Sequence, residues 1–116
     1  MKIRIKGNSV RYRLTQSEVA RLGAEGFLEE KVDFAGKKLI YSIITAKHNK
    51  LSVEFTGNMI ALHMSKVMIE ELCNTDKVGF GDTSGHVSLL VEKDFVCIDK
   101  VEEDQSDNYP NPNLAC

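Results

Sequence analysis

Five basic side chains stand at alternate positions near the start of the chain, with no acid among them. They are Lys2, Arg4, Lys6, Arg11 and Arg13. Because successive side chains of a β-strand point to opposite faces, a hairpin that turns at Gly7-Asn8 would place all five cations on one face and residues such as Ile3 and Ile5 on the other. Clustered Lys and Arg side chains bind phosphate and carboxylate groups. The spacing therefore predicts an anion-binding face.

The other end of the chain carries acids that could neutralise these cations. Residues 92–107 contain seven acids. They are Glu92, Asp94, Asp99, Glu102, Glu103, Asp104 and Asp107. Like charges opposed across a strand pair are destabilising, so the cations need solvent, an acidic segment or an anionic partner. We predict that the acidic segment docks near the hairpin, and that Tyr109 and Leu114 anchor it, or anchor a partner protein. The alternative is a disordered tail that only adds solubility.

An enzyme or sensor for a phosphorylated small molecule is the alternative hypothesis. Triphosphate-tunnel enzymes open with a strand of the pattern Glu-x-Glu-x-Lys, and this chain has Lys2, Arg4 and Lys6 at that spacing. Cations thus replace both carboxylates that would hold a metal, so metal-assisted phosphoryl transfer would lack its ligands. The sequence identifies no catalytic residue, and we predict no cofactor.

The cysteines and histidines do not form a metal-binding pattern. Structural zinc sites usually take their ligands from closely spaced pairs. The three cysteines are widely separated, at Cys73, Cys97 and Cys116, and the three histidines are also scattered. We predict neither a metal site nor a disulfide, since an odd and scattered set of cysteines is typical of reduced cytoplasmic proteins.

Composition and charge restrict the class of protein. The chain has 116 residues, of which 42% are hydrophobic and 28% charged, and this favours one folded domain over residues 1–101 with an acidic, proline-containing tail over 102–116. A net charge of -2 argues against a general nucleic-acid-binding protein. The sequence has neither a signal peptide nor an apolar run that could span a membrane, so we predict a cytoplasmic protein.

Two helices have clear start signals. Thr15 and Glu18 have the spacing of a capping box, and Leu14 and Val19 that of a hydrophobic staple, which predicts a helix from about Gln16 to Ala24. Ser65 is the predicted N-cap of a second helix that runs through Cys73.

The remaining segments alternate with the period of β-strands. Residues 28–64 predict a meander of about four strands, with residues 39–45 as a central strand, and residues 87–92 and 95–98 predict two more. We interpret Gly79–Asp82 as a turn and find no internal repeat. The order is ββ-α-ββββ-α-ββ, which predicts an α+β fold with one antiparallel sheet or open barrel of about seven or eight strands.

Four segments carry a resemblance to known proteins. They are the opening residues 2–9 (KIRIKGNS), residues 11–19 (RYRLTQSEV), and the ending residues 91–95 (VEKDF) with 103–112 (EDQSDNYPNP). With these motifs the chain resembles a family of short, uncharacterised bacterial proteins over its whole length. The resemblance implies a bacterial, cytoplasmic, single-domain protein and supplies no activity. The sequence therefore favours a non-enzymatic binding module, with the phosphate-binding enzyme or sensor as the alternative.

Overall fold

The computed structural model describes residues 1–95 and 106–110. Within them lie eight strands and two helices. In chain order these are β1 (Lys2–Lys6), β2 (Ser9–Leu14), α1 (Gln16–Glu25), β3 (Phe27–Asp33), β4 (Lys38–Ala46), β5 (Ser52–Thr56), β6 (Met59–Ser65), α2 (Lys66–Asn74), β7 (Gly79–Asp82) and β8 (Ser88–Lys93). The predicted α+β class and the order ββ-α-ββββ-α-ββ are confirmed.

The strands form two mixed sheets and not one antiparallel sheet or open barrel. The first sheet has the order β1-β2-β8-β7, and the second has the order β3-β4-β6-β5. In each, two antiparallel hairpins join through a parallel central pair, β2 with β8 and β4 with β6. The prediction failed because each helix carries the chain from one sheet to the other. The parallel neighbours β2 and β8 then come from opposite ends of the described fold, whereas β4 and β6 are separated only by β5.

The last two strands also differ from the prediction. Residues 79–82, interpreted above as a turn, form β7 and pair with β8. A Cβ on Gly79 would lie 2.3 Å from the carbonyl oxygen of Val91, so only glycine fits beside β8 at this position. Phe95 forms an isolated bridge with Tyr109, and the rest of the predicted strand 95–98 lies outside the described residues.

The two halves of the fold repeat each other, which corrects the sequence interpretation. Both halves have the order ββαββ, one over residues 2–46 and the other over residues 52–93. The β1–β2 ladder recurs in β5–β6 fifty positions later, so that the pair Lys2 and Arg13 corresponds to Ser52 and His63. The hairpins β3–β4 and β7–β8 match in the same way. Each sheet takes one hairpin from each half, so the halves are interleaved.

The same local chemistry forms the first turn of each half. Gly7 and Gly57 have φ angles of 54° and 59°, in the left-handed region that favours glycine. The following asparagine in each case joins its hairpin to the neighbouring one. Asn58 Nδ2 donates to the Lys38 carbonyl at 2.8 Å, and Asn8 Nδ2 donates to the His86 carbonyl.

The core lies between the two sheets and the helices. Equivalent rows of side chains cross the inner faces, Ile3–Tyr12–Val91–Phe80 in the first sheet and Val53–Leu62–Ile43–Leu28 in the second. The helices contact each other and bury Leu22 and Leu72. Neither helix is long and apolar enough to cross a membrane.

Both helices begin at the predicted caps. Glu18 Oε1 accepts the Thr15 amide at 2.9 Å in a capping box, and Ser65 Oγ accepts the Met68 amide at 3.2 Å. Leu14 and Val19, the predicted staple, are both buried in the core. Glu18 also forms an ion pair with the amino group of Met1. Burial alone would raise the pKa of Glu18, but the hydrogen bonds from this amine and from Thr15 outweigh it and lower the pKa.

Candidate anion-binding site

The five predicted cations share the outer face of the first sheet, which is the face opposite the core. In the β1–β2 ladder Lys2 lies opposite Arg13, and Arg4 lies opposite Arg11. Lys6 lies opposite Ser9 at the turn. We call these five residues with Ser9 the basic face. Its charges fall into two groups, according to the residues that β8 places beside them.

At the helix end of the basic face, acids at the end of β8 and just after it neutralise the cations. Arg13 Nε lies 3.0 Å from Glu92 Oε1, and Lys2 Nζ lies 3.0 Å from Asp94 Oδ2. Both acids are at least half-buried, and Arg13 and Glu92 are direct neighbours in the parallel ladder. Lys2 and Arg13 therefore serve to pair acids at this end of the sheet.

At the turn end of the basic face no acid among the described residues neutralises the positive charge. Arg4 and Lys6 are exposed, and neither side chain has an ion pair or hydrogen bond within residues 1–95 and 106–110. Arg11 is only loosely attached to Glu92, with Nε 3.8 Å from Oε1. Among the described residues, these three side chains are the cations of the predicted site that no acid holds closely.

A cavity of about 370 Å³ lies beside Arg11 on the same face. Its outer-face lining is Ser9, Arg11, Gly81, Ser88 and Leu90; Val10, Asp82, Thr83 and Leu89 complete it. The register places Arg11, Leu90 and Gly81 side by side in one row, and Ser9 beside Ser88 in the next. Sequence reasoning missed Gly81, Ser88 and Leu90 because they come from β7 and β8, far from the basic residues in the chain.

Asp82 is the one carboxylate among these lining residues. Its Oδ1 accepts hydrogen bonds from the Ser84 amide at 2.8 Å and from the Ser84 hydroxyl at 2.6 Å. These bonds lower the pKa of Asp82, so the group is a charged acceptor that holds the β7–β8 loop. Strand alternation also places its side chain on the face opposite Arg11.

The described part of the C-terminal segment lies at the start of α1. Asp107 accepts from the Ser17 hydroxyl at 2.5 Å, and its carbonyl accepts the Gln16 amide at 3.1 Å. Tyr109 donates its amide to the Asp94 carbonyl, and its ring lies 5.7 Å from that of Phe95. Lys93 Nζ lies 5.1 Å from the Tyr109 ring centroid. Tyr109 is thus half-buried against the fold, and Leu114 lies outside the described residues.

The side chains that could bind a metal do not assemble into a site among the described residues. Within residues 1–95 and 106–110 no three His, Cys, Asp or Glu side chains lie close enough together to hold one metal ion. His63 contacts Glu54 at 3.9 Å and stacks on His48. Cys73 is a free thiol that donates to the Val19 carbonyl at 3.3 Å, and burial raises its pKa. Cys97 and Cys116 lie outside the described residues.

A second depression, of about 900 Å³, lies at the β3–β4 turn. Lys37, Lys38 and Asp33 line it together with the turn residues Gly57 and Asn58. Asp33 Oδ1 accepts the Ala35 amide at 2.8 Å, and Asn58 donates to the Lys38 carbonyl, so its polar groups already support the turns. The basic face is therefore the stronger candidate site.

The chain belongs to a family of unknown function (DUF7009), whose profile matches residues 1–113. This confirms the predicted membership in an uncharacterised family. No curated protein and no solved structure matches the chain. The family supplies no activity, so any functional conclusion depends on the geometry above.

Proposed function

We propose that this chain is a non-enzymatic binding module whose ligand or partner is anionic. The contact surface is the turn end of the basic face, formed by Arg4, Lys6 and Arg11. The scattered cysteines, of which Cys73 is a free thiol, support a cytoplasmic location.

The difference between the two halves of the fold supports this proposal. The second half holds the same ladder with Glu54, Thr56 and Ala61 at the positions of Arg4, Lys6 and Arg11. The strand pair therefore forms without cations at these positions. Two like charges directly opposite each other, as in Arg4 and Arg11, cost stability on the order of a few tenths of a kcal/mol. The fold does not require this cluster of positive charges, and the cluster lowers the stability of the fold. An anion that binds to the cluster explains its presence.

The alternative, an enzyme acting on a phosphorylated small molecule, has less support. The cavity beside Arg11 could hold such a molecule, but catalysis also needs a general base or a nucleophile with an oriented base. Asp82 is bonded to Ser84 and has a lowered pKa, which is the opposite of a poised general base. Binding, or sensing without turnover, therefore fits the cavity better than catalysis does.

Titration with tripolyphosphate in a calorimeter tests the proposed function. We expect Arg4→Gln with Lys6→Gln to weaken binding by about tenfold or more at low salt, because two charge-assisted contacts are lost. Raising the salt should also weaken binding to the native chain, since exposed charges are screened.

The matched control removes the same charge elsewhere. Lys47→Gln with Lys66→Gln changes two other exposed lysines and should leave the dissociation constant within about twofold. Equal losses of affinity in both double variants would show that only the net charge of the chain matters. Absence of binding to the native chain would refute the proposal.

A further inference from the structure

The cavity beside Arg11 exists because three side chains are small. Along the ladder rows, the pair Ser9 and Ser88 stands where the second sheet has Met59 and Ile40, and Gly81 beside Leu90 stands where it has Glu29 beside Ser42. The second sheet thus carries three long side chains at these places of its outer face, Met59 and Ile40 in one row and Glu29 in the next. The first sheet has the same arrangement of strands with shorter side chains at these places. The cavity therefore results from the residue types and not from the topology.

The polar side of the cavity offers side-chain donors that make no hydrogen bond within the part of the chain that the structure describes. Glu92 is held by Arg13 at 3.0 Å, whereas Arg11 lies 3.8 Å from it and is 38% exposed. The Arg11 guanidinium can therefore present its paired N–H groups to an anion. The hydroxyls of Thr83 and Ser88 have no hydrogen-bond partner within the described residues. Three donor groups thus surround the space.

Ser9 has a different role from Ser88. Its hydroxyl donates to the Lys6 carbonyl at 2.8 Å, so its proton is already used. A phosphate group accepts hydrogen bonds and does not donate them when fully ionised, so Ser9 would border the ligand without bonding to it. This assigns the anion to the side of Arg11, Thr83 and Ser88.

The other side of the cavity is apolar. Leu90 lies between Arg11 and Gly81 in one row of the sheet, and its side chain is half-buried. Because Gly81 has no side chain, the flank of Leu90 toward β7 is uncovered. An apolar or aromatic group could lie on Leu90 and the Gly81 backbone while an attached anion reaches Arg11.

We infer that this cavity binds the phosphate monoester of a small apolar or aromatic alcohol. A volume of about 370 Å³ is at the lower end of the range for small-molecule sites, which suits a small ester and not a polymer. Arg4 and Lys6 on the adjoining strand supply further positive potential, and Asp82 points to the opposite face. This inference rests on the proposed function and names the ligand class for part of the same face.

Three probes separate the two parts of the site. Phenyl phosphate carries both the ring and the monoester, inorganic phosphate has no ring, and phenol has no anion. We expect phenyl phosphate to bind about tenfold more tightly than inorganic phosphate at equal ionic strength, and phenol to bind more weakly than either. The amide signals of Gly81 and Leu90 should shift with phenyl phosphate in a heteronuclear NMR titration.

Two variants fill the cavity independently. Gly81→Val places a side chain over Leu90, and Ser88→Ile restores the type of residue found at Ile40 in the second sheet. Each should weaken phenyl phosphate by about tenfold and change tripolyphosphate binding by less than about twofold. Gly36→Val is the control for a glycine substitution, because a Cβ at Gly36 meets nothing within 4 Å. If one cavity variant does not fold, the other gives the same information.

The outcomes distinguish this inference from the proposed function. Phenyl phosphate that binds no more tightly than inorganic phosphate, or that binds equally to the filled variants, overturns the ester site. If tripolyphosphate still depends on Arg4 and Lys6 in that case, the basic face remains a general anion-binding surface. If no anionic probe binds the native chain, the proposed function fails, and the ester site fails with it.

Discussion

The two halves of this chain share a framework and differ in what their outer faces carry. Residues 2–46 and 52–93 have the same elements and the same registers in their antiparallel hairpins. On the outer face of the first sheet, however, Arg4 and Arg11 stand where the second sheet has Glu54 and Ala61. One frame thus supports two surfaces of different charge.

This difference separates structural residues from functional candidates. The positions that agree between the halves form turns, caps and core, such as Gly7 with Gly57, Thr15 with Ser65, and Leu22 with Leu72. The cations and the small residues of the cavity have no counterpart of the same type. Positions that differ between the halves are therefore candidates for function. The sequence read as one linear pattern does not make this distinction.

The largest expected effect tests whether the halves form one core. Leu22→Ala and Leu72→Ala remove equivalent, fully buried side chains from the two helices. We expect each to lower the free energy of unfolding by about 2–5 kcal/mol, in a single transition in urea, because both sheets contain strands from both halves.

Val67→Ala in α2 is the control for these variants. This side chain is 66% exposed, and its truncation should change the free energy of unfolding by less than about 0.5 kcal/mol. Two separate urea transitions, or a loss confined to one of the leucine variants, would contradict the interleaved core.

A smaller effect should distinguish the two glycines of β7. A Cβ at Gly79 would lie 2.3 Å from the Val91 carbonyl and 2.8 Å from the Glu92 Cα, so Gly79→Ala should cost about 1–3 kcal/mol in a urea melt. A Cβ at Gly81 meets its nearest atom at 3.4 Å, which is ordinary contact. Gly81→Ala should therefore lie within about 0.5 kcal/mol of the native chain. Equal losses would show that Gly81 also serves the strand pairing and not only the cavity.

The smallest effect concerns acid. The pKa of Glu18 is lower in the folded chain than in the unfolded chain. Its carboxylate therefore contributes fully to stability at pH values above the unfolded pKa, and this contribution is lost as the pH falls through the folded pKa. Glu18→Gln should cost about 1 kcal/mol in urea melts at pH 7, and this difference should shrink toward pH 3. The corresponding position in α2 is Met68, which has no titratable side chain. As a control, Glu70→Gln at an exposed position of α2 should change the free energy of unfolding at pH 7 by less than about 0.5 kcal/mol. A constant cost of Glu18→Gln at every pH would contradict the assignment.

Local sequence determined the elements and the alternation of the cations. The capping box at Thr15 and Glu18, the turn at Gly7-Asn8 and the period of the strands each act within a few residues, so they predicted the α+β class and the element order. The exception is β7, whose residues 79–82 have the glycines of a turn. These glycines allow close contact with β8, which lies elsewhere in the chain.

Only the tertiary structure decided which strands are neighbours. The pair Arg13 and Glu92 joins residues far apart in the chain, and no local pattern specifies that β2 lies parallel to β8. That pairing neutralises Lys2 and Arg13 and leaves Arg4 and Lys6 without an acid partner among the described residues. It also forms the cavity from β2, β7 and β8. The sequence by itself determined which residues carry positive charge. The crossing of the chain between two sheets decided which of those charges pair with an acid among the described residues, because a helix after β2 and after β6 brings strands from opposite halves into one sheet.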